Sequence, residues 1–419
     1  MRILVITLLY APDGGPSAPL FGMLCENLAL RGHDVTVIAA VPHYPSGRVL
    51  KEFQGKWIQR SCERGVDVIR IRVPSLDRAN LKQRMLQFIW YQVGATWAGL
   101  KQHYDVLLVT NPALESWLPF FFLSWLRGEP AVFSVQDLYP DVGVTLGIFH
   151  HQPVIALVKW LEQFCLNRSK FVQIISESFI EPLRALGIPE SKMMLVSNWV
   201  DTDLIKPLPR DNGFSREHGL TNGFVALYAG NIGFSQGLEQ VLAAAAALRD
   251  HKDIIFVLLG GGAGCDYLKS QAREMGLENV RFLPFQPRSR LPEVLATADV
   301  SLVTLRKGIG ISSLPSKCYS ILASGRPLIA SVDAESDIWK LVQRSGAGVC
   351  IPPENPEALA EIIRELKDDP SRRELLGHKG REFALKYHAP QAAAEKFEQL
   401  LLSALANHEG RKMSFHHPA

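Results

Sequence analysis

The sequence predicts an α/β protein made of two doubly wound units of similar size. Three observations carry this. Apolar strand-like runs alternate with helix-like segments almost throughout, as expected of parallel strands joined by crossover helices. A glycine turn follows the first strand of each half, at Gly14 and Gly15 and again at Gly230 and Gly233. A stretch rich in proline and polar residues, Val200 to Gly213, separates the halves as a linker would.

The elements follow in order. Arg2–Tyr10 is a continuous apolar run, the mark of a strand buried on both faces of a parallel sheet. A turn and a helix over about 19–31 come next. Further strands are expected at 34–41, 66–73, 105–110, 131–136, 171–175 and 194–198, with helices at about 80–103, 113–126, 153–167 and 177–186. The pattern restarts at Phe224, with strands at 224–229, 254–259, 280–283, 299–304, 327–331 and 348–351. Three helices, at 356–367, 371–387 and 390–406, close the chain. The expected domains are 1–203 and 204–389, the last helix packing back on the first domain.

Composition narrows the function classes. The 419 residues include 47% hydrophobic side chains, enough for large cores. A formal charge of +3 without a basic block leaves no footprint for nucleic acid. Six cysteines stand singly, without Cys-x-x-Cys spacing, and read as thiols of a reducing compartment. A strand begins at Arg2 and no export signal is evident, so a cytoplasmic protein is expected.

Two loops suit phosphate. Leu314–Ala330 reads as a loop, an N-cap at Ser316, a short helix, a Gly325 stop and a buried strand. A helix N-terminus beside Lys317 is a ready place for a diphosphate. Gly14 and Gly15 let a ligand approach the first turn, although a plain strand-to-helix turn reads equally from these residues. The Gly-x-Gly-x-x-Gly fingerprint is missing there, and the second strand ends without a ribose-binding carboxylate, which argues against NAD.

Gly32-His-Asp-Val, Tyr10 to Gly15, Asp137 to Pro140, Tyr228 to Gly233, and Pro315 to Lys317 with Gly325 to Pro327 occur in order along the chain. This set resembles the retaining glycosyltransferases of family 4, and within them a subgroup that builds colanic-acid-type exopolysaccharide and O-antigens. The resemblance implies the GT-B fold, two facing Rossmann-like domains with a cleft between them. It implies a nucleotide-sugar donor, UDP- or GDP-linked, and a polyprenyl-diphosphate-linked glycan acceptor at the inner membrane. It implies Asp137 facing the reacting sugar. No cofactor and no metal are expected.

The chain departs from the family at the donor. Asn231 and Gln236 stand where many members carry arginine and lysine, and Ser312 and Ser320 stand in place of the Glu-x7-Glu pair. Lys317, with Ser313, Leu314, Ser316 and neighbouring backbone N–H groups, is then expected to carry the phosphates. Glu335 is the nearest acidic candidate for sugar or ribose hydroxyls. Phe285 ends a strand where the base would lie.

Other residues have two readings. Asp201-Thr-Asp203 matches a metal-binding triplet but follows a strand end into the linker, and reads as a cap. His43 and Tyr44 leave the second strand toward the acceptor, although His43 also fits a satisfied loop histidine. Gly260 to Gly262 serves a nucleotide or a plain turn. Residues 88–100 and 117–126 are too short to span a bilayer and read as core helices or as a face lying on the membrane, with Lys82, Arg84, Lys101 and Arg127 near headgroups. The expected activity is sugar transfer; a nucleotide-sugar 2-epimerase of the same fold and a silent nucleotide-sugar-binding protein are the alternatives.

Overall fold

The computed structural model of the protein describes residues 1–76, 80–145, 149–309 and 315–414. The chain divides into two compact units, Met1–Asn198 with Pro390–Ala419, and Trp199–Ala389. This boundary precedes the expected 203/204 division because residues 200–205 are tied into the second unit. The Val200 N–H donates to His388 O at 2.9 Å, and Arg381 holds the carbonyls of Thr202 and Ile205.

The first unit has eight strands: β1 (Arg2–Ile6), β2 (Asp34–Ala40), β3 (Ile58–Glu63), β4 (Val66–Ile71), β5 (Val106–Thr110), β6 (Ala131–Val135), β7 (Phe171–Ile174) and β8 (Met193–Leu195). Their order is β3-β4-β2-β1-β5-β6-β7-β8, parallel throughout except for β3 against β4. Its helices are α1 (Ala18–Leu30), α2 (Leu81–Leu100), α3 (Ala113–Phe120), α4 (Asp141–Thr145), α5 (Gln152–Arg168) and α6 (Ile180–Ala185). From β1 the chain steps one way to β2, and from β4 it crosses the other way to β5. Right-handed crossovers therefore put α1 on one face and α2, α3 and α5 on the other. The closing helix α15 (Pro390–Ser414) lies against α1, where Glu398 accepts hydrogen bonds from Arg31 and from His33 Nε2.

Three differences from the sequence reading have local causes. Strand β3 was not expected, because its Ile-Gln-Arg-Ser-Cys-Glu run is polar. It forms an edge strand through a turn in which Arg64 and Gly65 both take positive φ, 51° and 81°. Strand β1 stops at Ile6, since the Thr7 hydroxyl turns back to donate to Leu9 O, although Leu8–Tyr10 stay buried. The helix expected over 113–126 changes to a π-helical stretch at Phe121–Leu126, just after Pro119 removes a backbone donor.

The second unit has β9 (Phe224–Asn231), β10 (Ile254–Gly261), β11 (Val280–Leu283), β12 (Val300–Thr304), β13 (Leu328–Ser331) and β14 (Gly348–Ile351). They run parallel in the order β11-β10-β9-β12-β13-β14, a doubly wound sheet that changes direction between β9 and β12. The helices are α7 (Gly213–Glu217), α8 (Glu239–Ala247), α9 (Cys265–Glu274), α10 (Leu291–Thr297), α11 (Lys317–Ser324), α12 (Asp337–Ser345), α13 (Pro356–Asp368) and α14 (Pro370–Tyr387). Gly260 is required where β9 and β10 end side by side: a Cβ there would stand 1.8 Å from Gly230 O.

Candidate active site

The carboxyl ends of β9 and β12 flank the point where the second sheet reverses, the place at which an open α/β sheet receives a ligand. Lys317 opens α11 there. Its Nζ lies 4.1 Å from the centre of the Tyr228 ring and donates to Gln236 Oε1 at 3.1 Å. The Tyr228 hydroxyl lies 2.9 Å from the same Oε1 and 2.6 Å from Asn231 O. Gln236 is fixed in turn by Thr304, whose hydroxyl donates to Gln236 O at 2.7 Å. The amine stands beside Gly230, where an added Cβ would come 3.8 Å from Nζ. No carboxylate pairs with Lys317 among the described residues, and burial lowers its pKa to about 8.

Lys317 also lines a cavity of about 200 Å³, walled by Ser316, Ser320, Leu227, Ala229, Leu291 and Leu295. The hydroxyl of Ser301, on the same wall, is buried without a hydrogen-bond partner among the described residues. Ser316 does sit at the N-cap of α11, but its side chain makes no capping bond. Ser312, Ser313 and Leu314 lie outside the described residues.

The other donor-side residues separate. Asn231 ends β9, and Gly233 follows with extended backbone. The Phe285 ring is exposed and lies against Gly260 and Gly261, about where a base could stack, since a Cβ on either would be 3.5 Å from the ring. Glu335 is exposed, with no hydrogen bond or ion pair among the described residues, so the structure does not join it to the Lys317 cluster. Its neighbour Asp333 instead accepts from the Gly308 N–H at 2.9 Å. Arg306, eleven residues before Lys317, is paired with Glu239 at 2.6 Å.

In the first unit the turns after β1 and β2 are joined by Asp13, a residue not singled out from the sequence. Its buried carboxylate accepts from the Gly15 N–H at 2.9 Å, the His43 N–H at 2.9 Å and the Tyr44 N–H at 3.4 Å. The signal was present, since Asp before two glycines is turn chemistry. The expectation for Gly15 changes: a Cβ there would press on Leu9 Cδ1 at 2.4 Å, so packing already demands glycine. Gly14 is looser, with Tyr44 O at 3.5 Å from its added Cβ. The His43 ring is buried and its Nδ1 lies 2.8 Å from Val41 O, as a satisfied loop histidine would be, while Tyr44 remains exposed.

Asp137 lies two residues past β6 in a turn pinned by Asn111, whose Nδ2 donates to Asp137 O and whose Oδ1 accepts from the Gln136 N–H at 2.8 Å. A cavity of about 260 Å³ opens beside it, walled by Tyr139, Lys159, Glu162 and apolar side chains. Burial raises the pKa of Asp137, and raises that of Glu162 to about 8. Asp201 caps a turn by accepting from the Leu204 N–H at 2.9 Å.

The greasy helices divide by side chain. Phe120 and Leu123 are core, and Trp117 is half-buried among Phe121, Trp160 and Phe164. Leu86, Ile89, Trp90, Val93, Trp97 and Leu100 form an exposed stripe along α2. Trp125 and Leu126, with Leu157 and Trp160 of α5, are exposed as well. Lys101 covers Trp97 and Arg168 covers Trp125 at 4.5 and 5.3 Å.

Comparison with known proteins agrees with this architecture. Residues 17–199 match the model of a glycosyl transferase 4-like domain, and residues 212–383 match glycosyl transferases group 1. A putative colanic acid biosynthesis glycosyl transferase of Escherichia coli K12 is 29% identical over 87% of this chain and 92% of its own length. A probable glycosyltransferase of Pseudomonas aeruginosa is 28% identical over 62% of this chain and 65% of its own. Among solved structures, sucrose-phosphate synthase of Thermosynechococcus elongatus superposes with a TM-score of 0.70 at 19% identity, covering 97% of this chain and all of that one. The Anabaena protein HepE, solved with UDP-glucose, gives 0.68 at 17% identity, covering 96% of this chain and 100% of its own. Both halves of the sequence and both sheets thus meet in one assignment: the chain carries a glycosyl transferase 4-like domain followed by a glycosyl transferases group 1 domain and is a transferase of the GT-B fold.

Proposed function

We propose that the protein moves a sugar from a UDP- or GDP-sugar onto a polyprenyl-diphosphate-linked glycan, in the assembly of a bacterial exopolysaccharide or O-antigen, with retention at the anomeric carbon. The observation that carries the donor half is the half-buried Lys317 amine, which has no carboxylate partner among the described residues and stands at the sheet reversal. A cation without a counter-ion in a desolvated place has most to gain from a diphosphate. Charge grows on the donor's phosphate oxygen as the sugar leaves, so an ammonium already aimed there favours the transition state over the bound donor. That departing oxygen can take the acceptor's proton, and no protein nucleophile is needed. Ser320, which stands in place of one of the usual carboxylates, and Ser316, on the same cavity wall, are proposed as neutral hydrogen-bond donors. Asp137 is proposed to orient a sugar hydroxyl from the acceptor unit, with Tyr44 beside the acceptor. The relatives named for colanic acid and for complexes with UDP and UDP-glucose support the pathway and the donor class.

The lipid half rests on the exposed tryptophans of α2 and α5. Among the described residues no helix is long and apolar enough to cross a membrane. A stripe of tryptophan and aliphatic side chains edged by Lys101 and Arg168 suits the interfacial zone of a bilayer, where a polyprenyl acceptor is held. The decisive experiment is transfer of radiolabelled sugar from UDP- or GDP-sugars to lipid-linked oligosaccharide. Absence of any transfer or donor hydrolysis by a folded protein that binds nucleoside diphosphate would leave a binding protein instead.

A further inference from the structure

Lys317 lies at the carboxyl edge of the second sheet; a second basic feature lies at its amino edge. Asp299 and Pro327, which precede β12 and β13, border a groove of about 410 Å³ whose other wall is α14. Arg373, Gly377 and Arg381 recur every four residues on one face of that helix and line the groove together with Arg326. The wall is close because Gly377 has no side chain; a Cβ there would stand 2.1 Å from Gly325 O.

The three arginines are bonded, but only to neutral groups. Arg326 Nη2 donates to Leu208 O at 3.0 Å, and Arg373 Nη1 to Lys367 O at 2.8 Å. Arg381 donates to the carbonyls of Ile205, Ala323 and Thr202 at 2.8, 3.0 and 3.1 Å. None of the three forms an ion pair among the described residues. Asp299 is already paired with Arg210 at 2.9 Å, which leaves Glu374, exposed at the rim, as the other carboxylate of the groove. Exposed His378 pairs with Glu382. Burial, reinforced by repulsion from Arg210 and Arg373, lowers the pKa of Arg326 although Asp299 opposes the shift. The guanidinium nitrogens left over from these bonds are not among the buried unpartnered atoms, and all three side chains line the groove.

We propose that this groove is a second anion site, separate from the donor site, which takes the phosphate of a small phosphorylated molecule. Planar guanidinium forks match phosphate oxygens in pairs, and a dianion would relieve the repulsion between Arg326 and Arg373. The groove exceeds what a bare phosphate fills, so a sugar-sized ester fits. Since Arg326 and Arg381 also hold the carbonyls of residues 202–208, an occupant would fasten that segment to α14, which makes the site suited to regulation.

The test uses the full chain, titrated with inorganic phosphate and with ribose 5-phosphate against potassium chloride at matched ionic strength, read by calorimetry and thermal melting. Saturable binding is expected, retained in Lys317→Ala and weakened at least tenfold in Arg373→Gln. His378→Glu, a change at an exposed rim position, should weaken it as well with the melting transition intact, and it decides the matter if Arg373→Gln does not fold. No saturable binding beyond the chloride control overturns the proposal. So does binding that is lost in Lys317→Ala yet kept in Arg373→Gln and His378→Glu, because the phosphate would then be in the donor site.

Discussion

The ammonium of Lys317 rests on the face of Tyr228, 4.1 Å from the ring centre, with the amide oxygen of Gln236 as its acceptor at 3.1 Å. The resemblance implies a cation at the position of Gln236 in many relatives. Here the glutamine aims the lysine of another element, α11. Among the described residues that charge stays unneutralised, because neither an aromatic face nor an amide oxygen carries a full negative charge.

Lys317→Ala is expected to lower kcat/KM for the nucleotide-sugar by about ten- to a hundredfold, the worth of a charge-assisted hydrogen bond of roughly 1.5–3 kcal/mol. Lys317→Arg should restore little, since a planar fork does not fit where a compact ammonium sits between Tyr228 and Gly230. Steady-state kinetics on variants that keep a cooperative melting transition would establish this; an unimpaired alanine variant would remove Lys317 from the donor site.

Lys317 also predicts a pH dependence of stability. Its folded pKa, about 8, lies below the ordinary 10.5, so between these values the unfolded chain binds more protons than the folded one. Stability therefore rises with pH across that window. Lys317→Met should be more stable than the parent at pH 7, and urea titrations should show the gap closing by pH 10.

Glu162 works in the opposite sense. Burial raises its folded pKa to about 8 from 4.5, while Oε1 accepts from the Ala113 N–H at 2.7 Å. Between pH 4.5 and 8 the folded state holds the extra proton, so this residue's contribution falls as pH rises. Glu162→Gln keeps an acceptor and cannot ionise. It should match the parent near pH 4.5 and exceed it by a few kcal/mol above pH 8, as measured by denaturant unfolding.

Trp90→Gln combined with Trp97→Gln should abolish sedimentation with anionic phosphatidylglycerol vesicles while leaving the melting temperature within a few degrees, since both side chains are already exposed, at 42% and 57%. Equal vesicle binding by parent and variant would place the lipid contact elsewhere.

Activity is expected to survive EDTA. The Asp201 carboxylate is used to cap the turn at Leu204, and the Asp-x-Asp triplet lies in the segment tied to α14. Activity lost with chelator and restored by Mn²⁺ would show otherwise.

Local sequence determined the parallel sheets, because apolar runs such as Ile3–Ile6 and Val106–Val109 are buried on both faces and turn residues punctuate them. It also pointed to Lys317, through the cap, stop and proline that bound α11. What it could not supply were relations between distant segments. Edge strand β3 has a polar sequence and exists because β4 offers it a ladder. Asp13 matters because three backbone N–H groups from two loops meet on it, and His43 is buried because its loop folds inward. Whether Trp117 or Trp97 faces water depends on which side of its helix a neighbouring helix covers, and composition is the same for both. The counter-ion of each cation was likewise decided in three dimensions. Arg306 found Glu239 and Lys317 found none among the described residues, since ion pairing depends on separation in space, which residue order does not fix.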